Sequence, residues 1–269
     1  MTIGLIGCGK MGSALTLGAI RAGVVTELQI RAYDPVAAAV ESLQKEADIT
    51  AAGSLEELIT SCDTFLLCVK PNDVAPILSD IAKLSTGESN PLVLSIAAGV
   101  TLSTMESASE SKVRIVRIMP NTPAMIGKGA AAYSLGASAT PEDGAFTGKL
   151  LSSVGTACEV KEALLDAVTG TSGSGPAYVY TFIEALADGA LLEGIPKEQA
   201  LQLAAQTVLG GAAMVAETGI HPAELRDRVT SPGGTTIAGL RALEEGAFRA
   251  TVMSAVHEAT ERAKELGQQ

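Results

Sequence analysis

The chain has 269 residues, of which 47% are hydrophobic and 18% charged, a balance typical of a globular protein with a sizeable core and not of a disordered one. The net charge is −11 and both halves of the chain are acidic, which excludes the basic face that nucleic acid or anionic lipid would need. With four cysteines but no C-x-x-C pair, no secretory signal and no membrane-length apolar run, we expect a cytoplasmic protein with reduced thiols and no metal site.

The first half of the chain alternates apolar runs with helical stretches. Strands are expected at residues 2–6, 27–33, 64–69, 92–95 and 112–118, and helices at residues 10–22, 36–45 and 74–83. Ser54 and Glu57 form the capping box of a further helix. Strands separated by helices predict an α/β domain whose parallel sheet is covered by helices on both faces.

Helical signals dominate after about Val160. Helices are expected to begin at Pro176, Pro196 and Pro222 and to end near Gly194, Gly219, Gly246 and Gly267. The last helix carries its apolar residues on one stripe, formed by Val252, Val256, Ala259, Ala263 and Leu266. We therefore predict an α/β domain over residues 1–160 and an all-α domain over residues 161–269.

A glycine-rich turn follows the first strand directly and opens the first helix. Its residues 7–12 match the pattern G-x-G-x-x-G. Gly7 permits the tight turn, Gly9 lets the backbone approach a pyrophosphate, and Gly12 lets helix and strand pack closely. In this context the turn predicts a dinucleotide-binding domain of the Rossmann type, in which backbone dipoles at the helix N-terminus hold the phosphates.

Asp34 closes the second strand and bears on the choice of cofactor. A carboxylate there accepts hydrogen bonds from the adenosine ribose and repels a 2′-phosphate, which favours NADH over NADPH. The other interpretation is that Asp34 only caps the turn before Pro35. Arg31 and Lys10 are near enough in sequence to soften the repulsion.

Two glycine clusters in the second half place small, hydroxyl-bearing residues at helix starts. They span residues 168–178 and 230–236. A helix start offers free N–H groups and a favourable dipole to a carboxylate. Close helix packing is the alternative for the first cluster, and an ordinary N-cap turn for the second.

In these motifs and others, the sequence resembles the pyrroline-5-carboxylate reductase family over essentially the whole chain. The resemblance rests on residues 7–12, 69–71, 95–99, 117–123, 166–178 and 231–237. It implies hydride transfer from NAD(P)H to the C=N carbon of 1-pyrroline-5-carboxylate, which gives L-proline in the last step of proline biosynthesis. A reductase of another cyclic imine is the alternative.

The resemblance also implies the roles of individual residues. Cofactor binding is implied for Gly7, Cys8, Gly9, Lys10, Met11, Gly12, Asp34, Ser54, Val69, Lys70, Pro71, Ala97 and Asn121, and substrate binding for Glu162, Ser231, Gly233, Gly234, Thr235 and Thr236. The amides of Thr235 and Thr236 would hold the substrate carboxylate. The Thr236 hydroxyl would reach the ring nitrogen and act as the catalytic group. Thr122 and Pro123 would lie with Asn121 near the nicotinamide, and Arg228 stands where the family has a neutral polar residue.

The resemblance further implies a homodimer formed through the second domain, with further assembly into a decamer. His221 and His257 are expected at the surface and not in catalysis. A beta-hydroxyacid dehydrogenase would need a lysine and an asparagine where this chain has Val179 and Ile183, so alcohol oxidation is disfavoured. A nucleotide sensor, which would bind NADH without turnover, is the remaining class of function.

Overall fold

One eight-stranded sheet organises the first part of the chain. In the computed structural model, which describes residues 1–85 and 90–267, its strands are β1 (Ile3–Ile6), β2 (Ile30–Tyr33), β3 (Thr50–Ala51), β4 (Thr64–Leu67), β5 (Leu92–Ser95), β6 (Arg114–Met119), β7 (Gly129–Leu135) and β8 (Gly155–Glu159). The α-helices among these residues are α1 (Lys10–Arg21), α2 (Ala37–Gln44), α3 (Leu55–Ser61), α4 (Pro71–Leu84), α5 (Leu102–Ala108), α6 (Pro141–Ser152), α7 (Leu165–Val168), α8 (Gly175–Leu192), α9 (Lys197–Thr218), α10 (Pro222–Arg228), α11 (Thr235–Glu245) and α12 (Phe248–Leu266).

The strands lie in the order β3-β2-β1-β4-β5-β6-β7-β8. All neighbouring pairs are parallel except β6 and β7, which are antiparallel. The chain moves outward from β1 to β3 on one side and from β4 to β6 on the other. The order therefore reverses between β1 and β4, and such switch points are where ligands bind in open α/β sheets.

The core consists of two apolar clusters, one on each face of the sheet. Successive residues of β1 illustrate the division, because Leu5 belongs to one cluster and Ile6 to the other. This follows from the period of two in a strand, which sends alternate side chains to opposite faces. Every residue of β1, β4 and β5 is buried. The sequence-based expectation of an α/β sheet covered on both faces is confirmed.

Several element boundaries differ from those expected. The segment Glu27–Gln29 is a 3₁₀ turn begun by a capping box at Thr26, so the second strand starts only at Ile30. Helix α4 begins at Pro71, not at residue 74, because a proline suits the first turn and Lys70 serves as the N-cap. Ser54 caps α3 as expected, but the Glu57 carboxylate accepts from the N–H of Gly53 at 2.8 Å.

By packing, the described chain divides into two compact units. Unit 1 combines Met1–Ser174 with the C-terminal residues from Glu258 onward, and unit 2 is Gly175–His257. The composition change near Val160 gave domain limits of 1–160 and 161–269, and these limits remain a proposal. In unit 2, α8 and α9 form a helical hairpin, and the rings of Phe182 and Phe248 stack at 5.8 Å between centroids. None of the helices in the described part of the chain is both long and apolar enough to cross a membrane.

Candidate active site

The carboxyl ends of four parallel strands meet at one edge of the sheet in unit 1. Ile6 of β1 pairs with Tyr33 of β2 on one side and with Leu67 of β4 on the other. Leu67 in turn pairs with Ser95 of β5. The loops that follow these strands carry most of the residues expected to bind a cofactor, so the sheet brings those residues to a common edge.

Each of the three glycines in the turn at residues 7–12 is explained by a different feature of the structure. Gly7 has a φ of +96°, and a Cβ there would lie 2.4 Å from the carbonyl oxygen of Cys68. A Cβ on Gly12 would lie 2.2 Å from the carbonyl oxygen of Gly7, so α1 could not pack so closely on the turn. Gly9 differs, because its Cβ would meet no protein atom within 4 Å. Its backbone is therefore open to a ligand.

This edge fits the pyrophosphate of a dinucleotide. Gly9 is the N-cap of the twelve-residue helix α1, whose first N–H groups lack intrahelical acceptors. The first turn of α1 contains no acidic residue, and Lys10 is exposed at its start. Positive dipole, free donors and an unobstructed backbone are the features that an anionic phosphate requires.

Asp34 ties the end of β2 to the glycine turn. Its Oδ2 accepts a hydrogen bond from the N–H of Cys8 at 2.8 Å, and its Oδ1 accepts one from the N–H of Val36 at 2.9 Å. The second bond closes the local turn around Pro35, which is the alternative role that the sequence allowed for Asp34. The first bond joins β2 to the phosphate turn and was not expected. Each carboxylate oxygen keeps a free lone pair, which leaves the half-buried group able to accept from a ribose hydroxyl as well.

Two thiols lie beneath the turn. Burial, and after it the charge of Asp34, raises the pKa of the Cys8 thiol from 9.0 to about 12. Burial also raises the pKa of Cys68, which follows β4. A thiol whose pKa is raised stays protonated at neutral pH, so no thiolate opposes the negative charge of a bound phosphate.

The other expected cofactor residues occupy helix caps and strand ends. Ser54 uses its hydroxyl to accept from the N–H of Glu57 at 3.1 Å. Lys70 is exposed at the N-cap of α4, directly after the half-buried Val69. Ala97 is buried after β5, and its N–H lies 3.4 Å from the hydroxyl oxygen of Ser95.

Glu162 lies in unit 1, in a short 3₁₀ turn before α7. Its Oε1 accepts from the backbone N–H of Leu102 at 2.6 Å and from Arg117 at 2.9 Å. Asp166 lies 3.5 Å from the same guanidinium, which is only 8% exposed. Sequence reasoning missed this ion-pair network, although an arginine at an interior position of a strand, flanked by apolar residues, was a signal for it, since buried charges are paired.

In unit 2, the loop of residues 231–234 leads into α11. Gly233 has a φ of +66°, and Gly234 is the N-cap. Thr235 and Thr236 are the first two residues of the helix, where backbone N–H groups have no intrahelical partner. A Cβ on Gly234 would lie 2.4 Å from the hydroxyl oxygen of Ser231, so only glycine allows that hydroxyl to fold over the helix start.

Three further side chains of unit 2 are exposed. The Nδ1 atom of His221 accepts from the N–H of Ala223 at 3.2 Å and so caps α10, while His257 is exposed on α12. The surface positions expected for both histidines are confirmed. Arg228, the residue that departs from the family pattern, pairs with Glu224 at 2.7 Å.

The chain is similar to known proteins over nearly its full length. Residues 162–266 match the family model for pyrroline-5-carboxylate reductase dimerisation, and residues 2–99 match that for coenzyme F420-dependent NADP oxidoreductases. A pyrroline-5-carboxylate reductase of Methanosarcina acetivorans is 50% identical, with 98% of this chain and 97% of the relative covered. The structure of the pyrroline-5-carboxylate reductase from Coxiella burnetii matches with a TM-score of 0.93 and 32% identity, covering 98% of both chains. A Plasmodium falciparum pyrroline carboxylate reductase with NADP bound matches with a TM-score of 0.85 and 34% identity, covering 99% of this chain and 98% of the other.

Proposed function

The chain belongs to the pyrroline-5-carboxylate reductase family, and on that premise we propose how its own residues carry out the reaction. The enzyme reduces 1-pyrroline-5-carboxylate to L-proline with a nicotinamide cofactor. When bound, the cofactor supplies the hydride that forms the new C–H bond at the C=N carbon. The substrate reacts as its protonated imine, and the π electron pair moves to nitrogen, which becomes a neutral ring amine that keeps its one N–H. A proton from water then gives the ammonium form of proline.

The start of α11 is the observation that supports the substrate site. The N–H groups of Thr235 and Thr236 are free of intrahelical acceptors and lie at the positive end of the helix dipole. They hold the substrate carboxylate in our proposal, with help from Ser231, from the open backbone of Gly233 and from Gly234 at the N-cap. Glu162, which lies in unit 1, is proposed separately as an acidic residue that contacts the substrate, and its carboxylate also accepts hydrogen bonds from Arg117 and Leu102.

Thr236 has the catalytic role in this proposal. Its hydroxyl is half-buried in the first turn of α11. A hydroxyl both donates and accepts hydrogen bonds, so it holds the N–H of a protonated imine without being a strong acid. Orientation of the imine carbon is then its main contribution, since an iminium is already activated toward hydride.

NADH is the preferred cofactor in our proposal. The support is the carboxylate of Asp34 at the end of β2, held in place by two backbone N–H groups. The five residues after it are Pro35, Val36 and three alanines, none of which offers a charge or a hydroxyl to a 2′-phosphate. Arg31, a nearby cation, lies 3.9 Å from Glu57 and is partly neutralised by it.

A homodimer, with further assembly into a decamer, completes the proposal. Within residues 175–257, only Ala200 and Ala204 are buried, while large apolar side chains such as Tyr180 and Leu192 are 60% and 87% exposed. An apolar surface of this extent supports contact with another subunit. The match of residues 162–266 to a dimerisation model supports the same assembly. The four free cysteines support a cytoplasmic location.

A steady-state assay tests the reaction. Purified protein is given 1-pyrroline-5-carboxylate and either NADH or NADPH, and the loss of reduced-cofactor absorbance is followed. We expect turnover with both cofactors and a higher kcat/KM with NADH. A panel of cyclic imines without the carboxylate serves as the control, because our substrate site predicts a much lower kcat/KM for them. Turnover of those imines at the same rate would contradict the role of α11.

A further inference from the structure

Asn121 lies two residues after β6, and both the nitrogen and the oxygen of its side-chain amide form hydrogen bonds to the protein backbone. It is 8% exposed. Its Nδ2 donates to the carbonyl of Ser172 at 2.9 Å, and its Oδ1 accepts from the N–H of Ala130 at 2.9 Å. One amide therefore connects the end of β6, the start of β7 and a segment some fifty residues further along the chain.

That segment is a π-helical turn, Thr169–Gly173, in which the N–H of Ser174 donates to the carbonyl of Thr169 at 2.8 Å. Such turns are rare and occur frequently at functional sites. In an α-helix the carbonyl of Ser172 would accept from residue 176, which is Pro176 and has no N–H. The Asn121 amide supplies the donor that the proline lacks.

The turn also packs tightly against the end of β6. A Cβ on Gly173 would lie 2.5 Å from the terminal methyl of Met119, two residues before Asn121. A larger residue at Gly173 would have to displace that flexible methyl, so the glycine permits the close contact. Together with the Asn121 amide, this contact links the exit of β6 to the π-helical turn.

We propose that Asn121 is a positioning residue for hydride transfer, which holds the loop after β6 in register through the π-helical turn at Thr169–Gly173. This inference rests on the proposed function, in which Thr122 and Pro123 lie at the nicotinamide end of the site. It does not require a direct contact between the Asn121 side chain and the cofactor, because one donor and one acceptor of the amide already hold protein groups in place.

The variant Asn121→Asp tests this role with almost no change of size. The carboxylate keeps an oxygen that accepts from the N–H of Ala130. It replaces the amide N–H that donates to Ser172 with an oxygen, which faces the carbonyl oxygen of Ser172 without a hydrogen bond. We expect kcat to fall about 10- to 100-fold, since small misplacements of reacting groups have effects of that order. The dissociation constant of NADH, measured by its fluorescence, is expected to stay within about twofold, since the phosphate turn lies elsewhere.

Hydrogen exchange gives a readout that does not depend on turnover. In the Asp variant without cofactor, amides of residues 169–174 should exchange faster, while those of residues 7–12 should not change. Asn90→Asp is the matched control, because Asn90 is exposed and, among the described residues, its hydrogen bond is the one that its backbone carbonyl accepts from Arg114. If the Asp variant does not fold, Asn121→Ser removes both amide hydrogen bonds without adding charge and is measured in the same way.

Distinct results overturn distinct claims. A variant with wild-type kcat would overturn the positioning role, as would a loss of NADH affinity in proportion to kcat/KM, which would indicate a direct cofactor contact. Unchanged exchange at residues 169–174 would show that the amide does not hold the turn. A wild-type protein that reduces no cyclic imine would instead overturn the proposed function, and the positioning role of Asn121 with it.

Discussion

Two alanine substitutions in the glycine turn separate packing from ligand approach. In Gly12→Ala the new methyl would begin 2.2 Å from the carbonyl oxygen of Gly7 and 3.2 Å from the Cβ of Cys68. The first contact is backbone against α1 and no side chain can rotate away, so α1 and the turn must part by nearly an ångström. Overpacking of this kind lowers the free energy of unfolding by about 1–3 kcal/mol.

Gly9→Ala is the matched comparison. Its φ of −69° suits any residue, and its methyl would meet no protein atom within 4 Å. The fold should therefore keep its stability, whereas the methyl would occupy space that the pyrophosphate needs. We expect NADH to bind about tenfold or more weakly, which corresponds to about 1.4 kcal/mol or more.

Thermal unfolding and NADH titration of both variants distinguish the two effects. A loss of about 2 kcal/mol lowers the Tm of a chain of this size by about 4–8 °C, which we expect for Gly12→Ala, together with weaker NADH binding. Gly9→Ala should keep the wild-type Tm and lose affinity only. If Gly9→Ala binds NADH normally, the close approach of phosphate to that backbone is refuted. If Gly12→Ala keeps the wild-type Tm, the packing argument fails.

Thr236→Ala should lower kcat/KM about 100-fold or more with an unchanged NADH dissociation constant, and Thr236→Ser should restore much of the activity; near-normal turnover of the alanine variant would contradict the hydroxyl's role. Asp34→Asn should raise the ratio of kcat/KM with NADPH to that with NADH about tenfold, and an unchanged ratio would mean that the carboxylate does not face the ribose. Because the pKa of Cys8 is raised from 9.0 to about 12, the unfolded thiol ionises first as pH rises. Wild type should therefore lose free energy of unfolding above pH 9 relative to Cys8→Ala, and parallel pH profiles would argue against a buried, protonated thiol.

The sequence predicted those parts of the fold that local patterns encode. Glycine spacing after an apolar strand located the phosphate turn, because the three glycines are required by backbone geometry within a few residues. The hydroxyl at Ser54 predicted a helix cap for the same reason. By contrast, the short β3 and the alanine-rich β7 lack a continuous β-branched run, so their strand structure depends on pairing with neighbours.

Contacts between distant segments could not be predicted in this way. Asn121 appeared as a cofactor residue, whereas its amide reaches Ser172, because nothing local in the sequence links the two positions. Glu162 appeared as a substrate residue and also pairs with the buried Arg117. In both cases the residue type was informative, since buried amides and charges need partners, but the identity of each partner follows only from the packing of the fold.

In the proposed function, the carboxylate of Asp34 would let an acidic chain bind an anionic cofactor and still discriminate against one more phosphate. The N–H of Cys8 is already bonded to Asp34, so it stabilises the turn instead of a ligand. The donors of α1 that follow Gly9 remain for the pyrophosphate. The negative charge of Asp34 lies beside the turn, where the N–H of Cys8 donates to it. In the proposal the same charge also faces the adenosine ribose. The variant Asp34→Asn removes that charge and also one of the carboxylate oxygens that accept from the turn. We therefore expect its ratio of kcat/KM with NADPH to that with NADH to rise partly because kcat/KM with NADH falls.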